Sequence, residues 1–181
     1  RNSNQIIFKL IAVVSQDGFI ARYSGHKPFE WSSLEEQLQF RIDIENCNWG
    51  VMGRNTHEMT YNKHRSRIIF TSSVSKIIKR NNHIFFNPKI DNFSNIQSYF
   101  KSNENIAILG GTKVHDFFWE QKLITDIILT IEPIFFENGL LLFSYIKWSR
   151  FDEEMKKNSF YLKKEKKFLN NKGTTYIHYA Q

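Results

Sequence analysis

Two short glycine-containing stretches combine residue types that suit a phosphate group. The first is VMGRNTHE, residues 51–58, in which two apolar residues lead into Gly53 and then into Arg54 and Thr56. The second is LGGTKV, residues 109–114. Each is typical of a turn from a strand into a helix, where unpaired backbone N–H groups can bind an anion. The guanidinium of Arg54 would add a fork of donors that fits a phosphate.

Glycine pairs are weak signals by themselves, because many turns between strands and helices need a positive φ. The chain has no GxGxxG and no GxxxxGK[ST] sequence, so neither the Rossmann nor the P-loop arrangement is predicted. From these residues alone, the two stretches either bind a phosphate or are simply tight turns.

The apolar runs predict the elements that position these turns. Residues 6–15, IIFKLIAVVS, are nearly all apolar and β-branched, which predicts a central strand buried on both faces. Further strands are predicted at residues 49–52, 66–71, 84–86, 105–109, 124–132 and 140–143, helices at 96–101 and 114–122, and a terminal hairpin of 159–168 against 174–180. Strands that alternate with helices predict one α/β domain over residues 1–181.

The helix after the first strand carries two acidic residues. WSSLEEQLQF, residues 31–40, offers a serine N-cap and an acidic first turn, and we expect the helix to run to about Asn46. We expect its buried face to consist of Leu34, Leu38, Phe40 and Ile42. By themselves, Glu35 and Glu36 need only stabilise the helix N-terminus, by about 0.3–1 kcal/mol.

The composition restricts the classes of protein. A chain of 181 residues with 41% hydrophobic content can bury a sizeable core. No run approaches the roughly 18 apolar residues of a membrane span, and no secretory signal is present, so we expect a soluble, cytoplasmic protein that does not bind membranes. The single cysteine, Cys47, cannot form an internal disulfide, and no CxxC or HExxH pair predicts a metal site.

The net charge of +7 fits either nucleic acid or small anions such as phosphates as a partner. Many of the cations are lysines near the C-terminus: Lys156, Lys157, Lys163, Lys164, Lys166, Lys167 and Lys172. A hairpin edge protected by lysines is the plainer interpretation, and a nucleic-acid surface is the alternative.

Four stretches together carry a family resemblance. VMGRNTHE, RSRIIFTSS, AILGGTKVHDFF and DIILTIEPIF occur in the order and approximate spacing of the dihydrofolate reductase superfamily, which the chain resembles over nearly its whole length. This superfamily includes dihydrofolate reductase and the pyrimidine reductase of riboflavin biosynthesis. The resemblance implies an α/β, dihydrofolate reductase-like three-layer fold, with a central mostly parallel sheet and an antiparallel C-terminal hairpin. It also implies NADPH as the hydride donor and a small pterin-like or pyrimidine substrate.

The resemblance implies roles for residues around NADPH. These residues are Ala12, Ile20, Gly53, Arg54, Asn55, Thr56, Thr71, Ser72, Ser73, Leu109, Gly110, Gly111, Thr112, Lys113 and Val114. The first glycine turn would hold the pyrophosphate and the 2′-phosphate, residues 71–73 would border the adenosine phosphate, and the second turn would lie near the nicotinamide. Serines after a strand often only cap a turn, which is the alternative for residues 71–73.

The resemblance also implies a catalytic acid. Dihydrofolate reductases place a tryptophan before a helix whose first turn carries an acid facing the pterin, with a phenylalanine one turn further. In WSSLEEQLQF these places fall on Trp31, Glu36 and Phe40. A carboxylate there can accept two hydrogen bonds from a 2-amino-4-oxo ring, and burial would raise its pKa and keep a proton available for N5. Val13 and Thr130 would also contact the substrate.

An arginine before an apolar strand is a second marker of the family. Dihydrofolate reductases use it to pair with the α-carboxylate of the glutamate tail, and the place falls on Arg65, with Arg67 as the alternative. Either residue could instead be an ordinary surface charge. The guanidinium fork suits a carboxylate in bidentate geometry.

Some residues depart from the dihydrofolate reductase pattern. SQDGFIA and EPIFFENGLLLF look more like the pyrimidine-reductase branch, and His115 stands where many dihydrofolate reductases have a tyrosine beside the nicotinamide. Because Glu36, Phe40 and Arg65 match the folate-type contacts, we nevertheless expect an NADPH-dependent dihydrofolate reductase that transfers hydride to C6 of dihydrofolate. The alternative is 5-amino-6-(5-phosphoribosylamino)uracil reductase or another pteridine reductase, and the remote alternative is a non-catalytic nucleic-acid-binding domain. The pyrimidine reductases tend to pair, which leaves a homodimer open.

Overall fold

The computed structural model describes residues 5–181. Its strands are β1 Ile7–Val14, β2 Phe19–Ala21, β3 Trp49–Gly53, β4 Arg67–Phe70, β5 Ile78–Arg80, β6 His83–Phe86, β7 Asn105–Ile108, β8 Asp126–Ile131, β9 Leu140–Leu141, β10 Tyr161–Leu162, β11 Lys167–Phe168 and β12 Thr175–Ala180. Its α-helices are α1 Leu34–Glu45, α2 Arg54–Met59, α3 Ser94–Gln97, α4 Thr112–Glu120 and α5 Phe151–Lys157. Short 3₁₀ turns lie at Pro28–Glu30 and Trp148–Arg150.

One large sheet organises the described residues. Its strands lie in the order β10, β12, β8, β1, β7, β3, β4, β6, β5, and β11 also pairs with β12. The strands from β8 to β6 run parallel to their neighbours, whereas β12 is antiparallel to β8 and β5 is antiparallel to β6. Parallel strands direct their carboxyl ends to one edge, where ligands bind in open α/β sheets. The predicted mostly parallel sheet with a central first strand is confirmed.

The larger core lies on one face of the sheet. Phenylalanines dominate it, and the rings of Phe8 and Phe70 each lie 5.7–6.3 Å from those of Phe93 and Phe118, which are 5.1 Å apart. Centroid separations of this size in tilted geometry are favourable for aromatic pairs. Residues from α3, α4 and α5 pack into the same cluster, so this face supplies most of the apolar burial.

The opposite face of the sheet carries α1 over a much smaller apolar cluster. Ile11, Ala107 and Ile128 are buried there, with Phe40 of α1 packed against them. Because side chains alternate along a strand, Val13 points to the same face as Ile11. This thin layer leaves room for polar side chains between α1 and the sheet.

The prediction for the buried face of α1 is confirmed for Phe40 and is wrong for the three other residues. Leu34, Leu38 and Ile42 are 64%, 48% and 53% exposed, whereas Glu36 is 3% exposed. Positions i, i+4 and i+8 share one face of a helix, and this face points to solvent because the opposite face carries Glu36 and Phe40 towards the sheet. Apolar periodicity alone therefore assigned the wrong side.

Other boundaries also differ from the predictions. The helix predicted at 96–101 is the single turn α3, which begins at Ser94 and ends at Gln97. The first arm of the C-terminal hairpin consists of two short strands, β10 and β11, which pair separately with β12. Helix α5 was not predicted, although its first turn is acidic and its last turn basic, as helix dipoles favour.

A two-stranded sheet of β2 and β9 lies apart from the large sheet. The loop before β2 is fixed by Asp17, whose carboxylate accepts hydrogen bonds from the backbone N–H groups of Phe136 (3.1 Å) and Glu137 (2.7 Å). Trp148 Nε1 donates to the Gln16 carbonyl at 2.9 Å. The segment that leaves β1 is thus tied to the chain on both sides of β9. No helix within residues 5–181 is long and apolar enough to cross a membrane.

Candidate active site

The two glycine turns are in direct contact at the carboxyl ends of β3 and β7. Gly53 N donates to Gly110 O at 2.8 Å, and Leu109 N donates to Val51 O at 2.8 Å. These bonds continue the parallel pairing of β3 with β7 beyond Ile108. Stretches more than fifty residues apart in the chain therefore form one surface, as the phosphate-site hypothesis requires.

The N-terminus of α4 presents open backbone. Gly111 is its N-cap, without a side-chain cap, and its φ of −81° is one that any residue can adopt. A Cβ built on Gly111 would have no neighbouring atom within 4 Å, whereas one on Gly53 would touch Val114 Cγ2 at 3.8 Å. The peptide bond between Gly110 and Gly111 is cis. The second turn therefore offers donors beside free space, which is the shape that a phosphate or a ring amide needs.

Of the predicted cofactor residues near the first turn, some are exposed and others form hydrogen bonds with one another. Arg54 and Asn55 are exposed, and Arg54 Nε lies 4.0 Å from Glu58 Oε1, a weak surface pair. Thr71 is buried, and its Oγ1 accepts from Ser73 N at 3.1 Å and lies 2.8 Å from Ser73 Oγ. Residues 71–73 therefore cap their own turn, while Ser72 stays exposed.

The remaining predicted cofactor residues lie on β1, on β2 and in the second turn with the start of α4. Ala12 and Ile20 are half-buried and pack against the larger core, and Val114 is buried in it. Leu109 and Thr112 are half-buried and Lys113 is exposed. Thr112 Oγ1 donates to the Leu141 carbonyl, so the start of α4 is bonded to β9.

Glu36 is the buried acid of the site. Ser33 is the N-cap of α1, and its Oγ accepts a hydrogen bond of 3.1 Å from Glu36 N, which fixes the first turn. Burial raises the pKa of the Glu36 carboxyl to about 7, the charges of Glu132 and Asp43 act in the same direction, and the Ser32 hydroxyl opposes them. A carboxyl group with this pKa can hold or release a proton near neutral pH.

The other predicted substrate residues lie around the same end of α1. Val13 and Thr130 are register partners in the parallel pair of β1 and β8, and both are buried. Phe40, one turn after Glu36, packs against the smaller core. Trp31 Nε1 is buried without a hydrogen-bond partner among the described residues, and the Trp31 ring lies edge-on to Phe136 at 4.8 Å.

The structure separates the two arginine candidates. Arg67 is buried, its Nη1 lies 3.1 Å from His57 Nδ1, and its Nη2 donates to the Thr60 carbonyl at 2.9 Å. Arg67 therefore binds the C-terminal end of α2. Arg65 is half-buried, and within residues 5–181 its side chain forms no hydrogen bond or ion pair. Burial raises the pKa of the Cys47 thiol, and the charge of Arg65 opposes this shift; because Cys47 follows α1, Arg65 lies near the end of that helix.

Two polar residues were not assigned to the site from the sequence. His115 is buried, its Nδ1 lies 2.9 Å from the Leu142 carbonyl, and burial lowers its pKa to about 4. Its neutral ring therefore holds the segment after β9 against α4. Glu132 is buried directly after β8 and bonds Ser33 of α1. An acid at the end of an apolar strand was the signal that could have identified it.

Of three comparisons with known proteins, only the one with solved structures finds similar proteins. No protein-family model matches the chain. No curated protein matches it either. Among solved structures, a Shewanella sp. PV-4 protein with the provisional name of riboflavin biosynthesis protein matches with a TM-score of 0.69 and 18% identity, over 96% of this chain and 98% of that chain.

Dihydrofolate reductase from Enterococcus faecalis, in complex with NADP(H) and RAB-propyl, matches with a TM-score of 0.65 and 18% identity. The alignment covers 96% of this chain and 95% of that chain. Both likenesses extend over nearly the whole of each chain, and the sheet is mostly parallel with antiparallel pairing at its C-terminal edge, as the sequence predicted. The chain therefore has the dihydrofolate reductase-like fold.

Proposed function

We propose that this protein is an NADPH-dependent oxidoreductase that reduces dihydrofolate to tetrahydrofolate. The observation that carries the proposal is the position of Glu36. Its carboxyl group is buried under the start of α1, on the face of the sheet to which Val13 points, and this burial raises its pKa to about 7. An acid of this kind, in a protein that also has an open glycine turn at Gly111, suits a reduction that also needs a proton.

The glycine turns fit the proposed coenzyme. The free space at Gly111 would admit the coenzyme backbone, and Gly53, Gly110 and Thr112 would line it. Arg54 is exposed beside the first turn, where it would bind the 2′-phosphate. When bound, NADPH would supply the hydride that reduces the substrate ring.

The polar residues under α1 would orient the substrate. Glu36 would accept hydrogen bonds from the amino and ring N–H groups of a pterin, and Phe40 would pack on the substrate. Fixed orientation of this kind accounts for much of the rate of a bimolecular reaction in an active site. The raised pKa of Glu36 would leave a proton on the carboxyl group in a large fraction of molecules at neutral pH.

Arg65 favours dihydrofolate over the pyrimidine substrate. It is the arginine that remains available near the end of α1, because Arg67 is bound to α2. A single guanidinium suits the α-carboxylate of a glutamate tail. The alternative substrate is 5-amino-6-(5-phosphoribosylamino)uracil, and the similarity to the Shewanella protein and the EPIFFENGLLLF stretch support it.

The deciding experiment follows the absorbance of NADPH with each substrate separately. We expect oxidation with dihydrofolate, and much slower or no oxidation with the phosphoribosylamino-uracil. Activity with the uracil alone would reassign the protein to the pyrimidine reduction. Lack of binding of NADPH would contradict both versions.

A non-catalytic nucleic-acid-binding domain is the rival of a different class. The hairpin lysines Lys163, Lys164, Lys166 and Lys167 are exposed next to the exposed aromatic residue Phe168. Such a surface would bind polyanions with an affinity that falls steeply with salt and does not depend on Arg54. The proposed function predicts no tight nucleic-acid binding at physiological salt.

A further inference from the structure

Glu132 joins the ends of two central strands to the start of α1. Its backbone N–H donates to Val14 O at 2.9 Å, where β1 ends beside β8. Its Oε2 accepts a short hydrogen bond from Ser33 N, and its Oε1 lies 3.4 Å from Ser33 Oγ. Ser33 in turn accepts from Glu36 N. One buried side chain, 3% exposed, thus connects the sheet edge to the turn that carries Glu36.

The partners of the Glu132 carboxylate are neutral. The Ser33 hydroxyl also lies 3.4 Å from Thr174 Oγ1, which accepts from Asn170 Nδ2 at 2.8 Å. Within residues 5–181, no lysine, arginine or histidine forms an ion pair with Glu132. N–H and O–H donors favour a charged carboxylate, but they leave its net charge in place.

That charge acts on Glu36 across the first turn of α1. Both carboxyl groups are buried, and two buried acids near one another do not readily ionise together. Burial makes the largest contribution to the raised pKa of Glu36, and the charge of Glu132 raises it further. Ser33 N donates to the Glu132 carboxylate, and the negative charge of this carboxylate favours the protonated form of Glu36.

We propose that Glu132 is a positioning residue for Glu36: through Ser33 it fixes the first turn of α1 over the ends of β1 and β8, and it brings a buried negative charge to the turn that carries Glu36. The proposal deepens the proposed reductase function and rests on it for the meaning of the proton on Glu36. The contact itself exists without substrate. Glu132 thus acts through Glu36 and does not need to touch the ring.

The test replaces Glu132 by glutamine, which keeps an oxygen to accept from Ser33 and removes the charge. Carbon NMR of protein labelled at the glutamate carboxyl groups would follow Glu36, whose signal is the one that disappears in Glu36→Gln. In Glu132→Gln we expect Glu36 to titrate at lower pH, with its acid dissociation constant raised roughly threefold or more. The affinity for NADPH should be unchanged.

Glu35→Gln is the matched control. It removes a negative charge from the same turn, but the Glu35 carboxylate accepts a hydrogen bond of 2.9 Å from Asn170 Nδ2 and has no contact with Glu132. We expect its Glu36 titration to match the wild type. An unchanged titration in Glu132→Gln, or an equal shift in Glu35→Gln, would overturn the proposal.

A reciprocal measurement covers the case in which Glu132→Gln does not fold. In the wild type, the Glu132 carbon signal should show an inflection at the pH where Glu36 titrates, and Glu36→Gln should abolish it. Absence of that inflection would also reject the proposal. Loss of NADPH oxidation with both substrates would instead contradict the proposed function, and the NMR titrations would still decide whether Glu132 acts on Glu36.

Discussion

The backbone N–H of Gly53 donates a 2.8 Å hydrogen bond to the carbonyl oxygen of Gly110. This bond places the start of α2 beside the start of α4, although the two turns are far apart in the chain. It follows from the parallel pairing of β3 with β7, which brings the carboxyl ends of both strands to one edge of the sheet. The proposed coenzyme site depends on this adjacency.

Gly111→Ala should weaken coenzyme binding without loss of stability. The added methyl group meets no protein atom within 4 Å, and the backbone there is accessible to alanine. It would instead occupy the space proposed for the coenzyme, so we expect NADPH to bind roughly tenfold more weakly or worse, a cost of about 1.4 kcal/mol. Fluorescence titration with NADPH and thermal unfolding of the same samples would test this. Normal affinity would place the coenzyme elsewhere.

Arg54→Ala should weaken the interaction with NADPH selectively. We expect KM for NADPH to rise on the order of tenfold, and KM for NADH to change little, because only NADPH carries the 2′-phosphate that the guanidinium would bind. Glu58→Gln is a suitable control, since it removes the weak surface partner of Arg54 and should leave both constants close to the wild type. Equal losses for the two coenzymes would remove Arg54 from the 2′-phosphate site.

Arg65→Ala and Arg67→Ala should have different effects. Arg65→Ala should raise KM for dihydrofolate, by roughly tenfold if one charge-assisted pair is lost, and should leave stability nearly unchanged. Arg67→Ala should lower the free energy of unfolding, because the Thr60 carbonyl and His57 lose their buried partner. Steady-state kinetics and urea unfolding of both variants would separate the roles, and the reverse pattern would exchange them.

Glu36→Gln should change the pH dependence of stability. The ordinary pKa of a glutamate carboxyl is 4.5, and burial raises that of Glu36 to about 7. Below pH 4.5 both the folded and the unfolded protein carry the proton, so ionisation of Glu36 does not change the free energy of unfolding. Between the two values only the unfolded chain ionises, so the wild type should lose about 3 kcal/mol relative to Glu36→Gln as pH rises through this range.

Urea unfolding of both proteins at several pH values would measure this difference. The variant should also lose reductase activity while it keeps its affinity for NADPH, since Glu36 belongs to the proposed substrate side. A stability difference that does not depend on pH would contradict the protonated Glu36.

His115→Phe should show that the stability contributed by His115 falls at acidic pH, which is the opposite of the pH dependence expected for Glu36. Burial lowers the pKa of His115 from 6.5 to about 4, so the native ring stays neutral while the unfolded ring gains a proton. The stability that His115 contributes is complete above pH 6.5 and is lost as the pH falls towards about 4. At neutral pH we expect the variant to be less stable by about 1–3 kcal/mol, because the Leu142 carbonyl loses its donor.

The difference between wild type and His115→Phe should then shrink as the pH falls from 6.5 towards 4. Chemical unfolding monitored by tryptophan fluorescence would measure it. A constant difference over this range would mean that His115 is protonated in the folded protein.

The local sequence was sufficient to predict several parts of this fold. The run of apolar, β-branched residues in 6–15 could be satisfied only by burial on both faces, and it forms the central strand β1. Ser33 was a predictable N-cap because its hydroxyl serves the N–H groups of its own first turn. The glycine turns were visible for the same reason, since a strand end and a helix start need only near neighbours in the chain.

The face of α1 that meets the sheet was decided by tertiary structure. Leu34, Leu38 and Ile42 predict a buried stripe, yet they face solvent while Glu36 is buried. Hydrophobic periodicity assumes that every helix gains most by burying its apolar side. In this protein the residues under α1 include Val13 of β1, Glu132 at the end of β8 and Thr174 just before β12.

The sequence by itself therefore determined most strands of the large sheet, the N-cap of α1 and the glycine turns, because each depends on residues that are close together in the chain. Only the tertiary structure decided that Gly53 meets Gly110, that Arg67 is occupied while Arg65 remains available, and that Glu132 lies against the turn of Glu36. These relationships join distant segments through the order of strands in the sheet. Pairing order depends on the packing of the whole chain, and local propensity carries no information about it.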